Sequence, residues 1–121
     1  MVEPRRLSDV AEETLFEQLS KFTNKGVAEI DSVEGDHEGA KFAHQIQQVF
    51  KKAGWEAGRV ERYAYTGLAP TGLLLTVQPD NRPYAKALGT IFNAAGFSVR
   101  FSKSPTLGSS TARVTVGIKP Q

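Results

Sequence analysis

The chain has 121 residues and no cysteine. One domain accounts for that length, and disulfides, thiolate metal sites and cysteine nucleophiles are excluded together. With 40% hydrophobic, 9% aromatic and 23% charged residues, the composition is that of a globular domain that folds without staples and buries roughly two thirds of its unfolded surface. The net charge of +2 hides an asymmetry: residues 1–56 carry eleven acids and seven bases, whereas residues 57–121 carry two acids and eight bases. From Asn81 onward there is no acid, only Arg82, Lys86, Arg100, Lys103, Arg113 and Lys119, so that end attracts anions unless its cations form an ordinary solvated face.

In chain order, residues 1–6, with Pro4 and a basic pair, read as a flexible lead-in. Ser8 then offers an N-cap, Asp9, Glu12 and Glu13 favour the positive end of a helix, and Ala11, Leu15, Leu19 and Phe22 recur at helical spacing. Val27 to Val33 is expected to be a strand. A stripe of Phe42, Ala43, Ile46, Val49, Phe50 and Ala53 marks a second amphipathic helix that Gly54 stops. Arg59 to Tyr65 is a strand candidate, and Leu73 to Val77, apolar on both faces, is expected to be a central strand. Pro83 opens a third helix carrying Tyr84, Ala85, Leu88, Ile91, Phe92 and Ala95. Phe97, Val99 and Phe101, and then Ala112, Val114, Val116 and Ile118, alternate with polar residues as strands with one dry face do.

The two helices carry an apparent internal repeat. Phe42, Ala43, Ile46, Val49, Phe50, Ala53, Gly54 and Trp55 match Tyr84, Ala85, Leu88, Ile91, Phe92, Ala95, Gly96 and Phe97 at a constant offset of 42 residues. The pattern predicts a single α+β domain, an α/β sandwich with a leading helix, two tandem β-α-β units over about 27–65 and 72–102, and a final strand over about 111–119. A ferredoxin-like or related mixed sheet follows, in which the second and third strands are antiparallel neighbours and the leading helix covers part of the second face. A three-layer doubly wound sheet is the alternative. Trp55, Phe50, Phe92 and Phe97 are expected in the core.

Two loops stand out as a small-ligand site. The first, with Ser32, Glu34, Gly35, Asp36, His37 and Glu38, lies between a strand and a helix N-terminus, where α/β proteins commonly bind ligands. Its acids suit a hydroxyl, an amine or a cation better than a phosphate, and the same residues suit an ordinary helix cap and turn. The second, with Thr66, Gly67 and Thr71 after Tyr63 and Tyr65, has the hydroxyls and glycines of a ligand rim or of a plain strand connection. A third site is the polar face of the last strands, where Arg100, Arg113 and Lys119 would meet an anionic ligand, a protein partner or, less well, nucleic acid, whose bases need aromatic platforms. No zinc, calcium or nucleotide-loop spacing is present, so no cofactor or metal is expected, and no catalytic set is fixed by spacing. No apolar run approaches the roughly 18 residues of a membrane span.

The segments Gly35-Asp36-x-Glu38-Gly39, Phe50-x-x-Ala53-Gly54-Trp55, Thr66-Gly67-x-x-Pro70-Thr71-Gly72-Leu73 and Val116-Gly117-Ile118-Lys119-Pro120 resemble a family of small bacterial α/β domains of unassigned function. These are associated with the soluble C-terminal ends of membrane-anchored proteins. The resemblance implies a module of a larger, membrane-anchored bacterial protein and transfers no catalytic residue. The residues themselves, through the longer strand-to-helix connection in the first copy of the repeat, point first to a non-enzymatic, cytoplasmic binding or sensory module with its ligand site framed by the two loops, then to a protein- or nucleic-acid-interaction module on the basic C-terminal half, and third to an enzyme.

Overall fold

The structure, a computed structural model, describes residues 4–23, 25–65 and 67–119. The described residues form an α+β domain of three helices and a mixed six-stranded sheet. The elements are α1 (Asp9–Ser20), β1 (Val27–Val33), α2 (His37–Lys52), β2 (Glu56–Ala57), β3 (Glu61–Tyr63), β4 (Leu73–Val77), α3 (Arg82–Ala94), β5 (Val99–Lys103) and β6 (Thr111–Val116). The sheet order is β2-β1-β6-β4-β5, with β3 also on β1. Strands β2, β3 and β6 run parallel to β1, β5 runs parallel to β4, and β4 meets β6 antiparallel.

Each of α2 and α3 therefore links two parallel neighbours, and the strands of one link are not split by a strand of the other. Of the expected forms this is the related mixed sheet, since the ferredoxin-like form splits its β-α-β units. The second and third expected strands do not pair. β3 lies on β1, β4 lies between β6 and β5, and the connection after Tyr63 passes the ends of β1 and β6. The late strand β6 takes the place between the two units because its Ala112, Val114 and Val116 are buried and fill the middle of the core.

Both long helices cover one face of the sheet. The inward residues Ala28, Ile30, Leu73, Leu75, Val77, Val114 and Val116 share one core with Phe42, Ile46, Phe50, Leu88 and Phe92. Helix α1 packs on α2 and α3 rather than on the second sheet face. Its N-cap Ser8 accepts from the Ala11 N–H at 3.1 Å, and its buried stripe of Ala11, Leu15 and Leu19 needs an apolar partner that the charged second face does not offer. Trp55 sits where the helices meet. Its Nε1 donates to the Leu19 carbonyl at 3.1 Å, and the rings of Phe50 and Phe22 lie 5.2 and 5.3 Å from its own. Phe97 is half-buried against Phe42, ring to ring at 5.5 Å. Gly54 and Gly96, at φ 95° and 94°, leave α2 and α3 through the left-handed conformation that side chains resist.

Candidate functional site

The end of the sheet at which β1 and β6 finish holds both predicted ligand loops. Ser32 is buried at the end of β1, on the helix side, and its hydroxyl has no partner. Glu34 and Gly35 form an exposed turn, with Gly35 at φ 86°. Asp36 takes the N-cap position of α2 without a side-chain capping bond, and one of its carboxylate oxygens is buried and unpartnered. His37 opens α2 exposed to solvent. On the neighbouring loop, Thr71 bridges Ile118, Gly67 adopts φ 97°, and Thr66 lies outside the described residues.

The acid at the end of the first loop is already held by the chain itself. Arg5, from the stretch expected to be a flexible lead-in, donates to Glu38 through its backbone N–H at 2.7 Å, Nε at 2.9 Å and Nη2 at 2.7 Å. Nη2 also donates to the Gly117 carbonyl at 2.6 Å, and the guanidinium lies 5.3 Å from the Phe42 ring centre. The hydrogen bond from Arg5 outweighs burial and holds the Glu38 carboxyl below its usual range, with Lys119 adding to the effect. Carboxylate, carbonyl and aromatic face together form a cradle for a guanidinium, and Arg5 occupies it.

The second face of the sheet carries mixed charge. Arg113, offered by sequence as an anion contact, is turned to acids: its Nε and Nη2 lie 3.1 and 3.0 Å from Glu29 Oε1, and Nε lies 3.8 Å from Asp31 Oδ2. Burial pushes the Asp31 carboxyl up, against the Thr115 hydroxyl and Arg113. Tyr63 and Tyr65 are exposed beside this cluster, yet Glu29, Asp31 and Glu61 among them oppose a phosphate backbone. Arg100 points its Nη2 to the Thr71 carbonyl at 2.6 Å. The three cations predicted as one site are thus dispersed, with Lys119 beside Glu38, Arg113 on Glu29 and Arg100 on the sheet rim.

A surface the sequence did not single out lies on the helix side of β5. An open groove of about 790 Å³ runs between α3 and this edge strand. Val77, Ala85, Gly89, Val99 and Phe101 supply its apolar lining, and Arg82, Lys86 and Lys103 its charged residues; among the described residues no acid lines it. None of these three cations forms an ion pair among the described residues. Phe101, expected on a dry face, is 58% exposed, because β5 ends the sheet that the described residues form. A side chain at Gly89 would come within 2.6 Å of the Phe101 ring, so the bare helix surface there is what lets the ring lie against α3. The legible signal was that glycine inside an otherwise apolar helical stripe, at the position matching buried Gln47.

Among the described residues, no group of three or more His, Asp or Glu side chains is placed to hold a metal ion, and no helix is long and apolar enough to cross a membrane. Compared with protein-family models, with curated proteins and with solved structures, the chain matches none.

Proposed function

We propose that this domain is a non-enzymatic binding module that takes a protein partner on its basic C-terminal half, in the groove between α3 and β5. The observation that carries the reading is Phe101, 58% exposed on an uncovered edge strand over an apolar groove rimmed by Arg82, Lys86 and Lys103. A groove of this size is within the range that binding sites occupy, and large exposed apolar residues ringed by polar ones mark interaction surfaces. Nucleic acid is the weaker partner, since the sheet face that would stack bases places Glu29, Asp31 and Glu61 beside its tyrosines. The small-ligand reading of the 32–38 and 67–71 loops is weaker too, because Arg5 already holds Glu38, one of the acids that would meet a ligand. The resemblance to soluble ends of membrane-anchored bacterial proteins supports a cytoplasmic module serving a larger protein.

An NMR shift titration of the domain with oligo-glutamate, a nucleotide and metabolite pool, and a short oligonucleotide tests this. Salt-sensitive shifts confined to residues 82–103 with oligo-glutamate are expected. Shifts confined to residues 32–38 and 67–71 with a small metabolite would replace the reading with a ligand sensor.

A further inference from the structure

We infer that the occupant of the α3–β5 groove is an extended acidic segment that adds to β5 as a further strand of the sheet; the inference rests on the proposed docking role of that groove. The direction of β5's backbone groups carries it. Ser104 N–H donates to the Val77 carbonyl at 3.0 Å, and successive residues of a strand turn their N–H and C=O groups to opposite edges. Arg100 and Ser102 therefore bond toward β4, while Val99, Phe101 and Lys103 present their N–H and C=O groups outward. Among the described residues no strand of the sheet lies beyond them, and a row of unpaired N–H and C=O groups on an open edge is a template for a further strand.

The side chains of the same three residues fix the pattern of the incoming segment. Val99, Phe101 and Lys103 are in register with Leu73, Leu75 and Val77, whose side chains form the core under the helices. They face α3, and residues paired opposite them on an added strand would face α3 as well. Alternate residues of the segment thus enter the apolar groove over Ala85 and Gly89, and the residues between them emerge beside Arg100 on the other face. Arg82, Lys86 and Lys103 line the groove, among the described residues no acid does, and Arg100 lies on the other face, so a segment alternating carboxylates with apolar side chains meets cations with its carboxylate face whichever way it is turned. A second copy pairing β5 on β5 brings the same cations to the seam with no counter-charge, which sets it behind an acidic partner.

The probe is a blocked nine-residue peptide of alternating glutamate and valine, with a lysine-for-glutamate counterpart, titrated into the intact domain. Binding by the glutamate peptide, at least about tenfold tighter than by the lysine peptide and weakened by salt, is expected. Amide hydrogen exchange at Val99, Phe101 and Lys103 should slow by about tenfold on binding, as it does where N–H groups enter a ladder. Phe101→Ser, at an exposed site that leaves the fold intact, should weaken the glutamate peptide by about tenfold. Binding with no added protection at those three amides would overturn strand addition while leaving the docking groove in place. Equal binding of both peptides would overturn the acidic partner, and no binding of either would remove the docking reading together with the inference.

Discussion

The clamp between Arg5 and Glu38 gives the sharpest test of how the N-terminal segment is held. The side chains are 13% and 22% exposed, between the exposed ion pairs that contribute about 0.2–1 kcal/mol and the buried ones whose disruption costs about 3–5 kcal/mol. A double-mutant cycle of Arg5→Ala and Glu38→Gln should therefore give a coupling of about 2 kcal/mol at neutral pH. Arg5→Ala also loses the bond to the Gly117 carbonyl and the contact with the Phe42 ring, worth about 1 kcal/mol more. It should therefore cost more than Glu38→Gln, with a fall in Tm of about 8–12 °C in a domain of this size. The pH dependence has a definite sign. Because the Glu38 carboxyl titrates lower in the folded chain than its ordinary 4.5, its contribution is fully present above that value and is lost as pH falls through the lowered one. Urea unfolding of the four proteins near pH 7 and again in strong acid measures both. A coupling under about 0.5 kcal/mol at neutral pH, or one unchanged in acid, would refute a held lead-in and return residues 4–6 to the flexible segment that their sequence suggests.

Two further outcomes follow from burial. Trp55→Ala should cost about 3–5 kcal/mol for the vacated volume, whereas Trp55→Phe keeps most of the ring and loses the bond to the Leu19 carbonyl, which still accepts from the Phe22 N–H, at about 1 kcal/mol; a native fluorescence spectrum of fully solvated tryptophan would contradict both. Asp31→Asn should stabilise the domain near neutral pH, because burial raises this carboxyl above its ordinary 3.8 in the folded state and its favourable contribution is lost as pH rises through that raised value. The advantage should shrink on acidification toward 3.8, and an asparagine variant less stable than wild type at neutral pH would show that the pairing with Arg113 outweighs desolvation.

What could be read from the sequence was what depends on local period and caps. Ser8, Pro83, Gly54 and Gly96 mark helix ends, and the apolar stripe over Phe42 to Ala53 names the buried face of α2, because each is decided within one or two turns of chain. Strand neighbours are decided elsewhere. Nothing near Tyr63 indicates that the chain passes over two strand ends before β4 begins, since the strand it passes, β6, is supplied by residues 111–116. The same holds for the site. The acids of the 34–38 loop were legible, but the guanidinium that meets Glu38 comes from 33 residues away. Alternation in Val99 and Phe101 showed that both point one way, and only the sheet order shows that this way is the uncovered rim of the groove.

The two edges of the sheet differ in a way that bears on the docking role. On the β1 side the edge is divided between β2 and β3, of two and three residues, and short interrupted strands are a common protection against unwanted pairing. On the other side β5 runs five residues in unbroken register with β4. Charged residues also protect edges, and Arg100 and Lys103 could be read only in that sense. That reading accounts for the charges but not for Phe101, which an edge under selection against pairing would not leave 58% exposed, nor for Gly89, whose missing side chain keeps α3 low beneath it. An edge that repels like-charged strands while keeping an apolar floor beside regular backbone is selective toward acidic partners, and this combination is what separates β5 from an edge that is merely guarded.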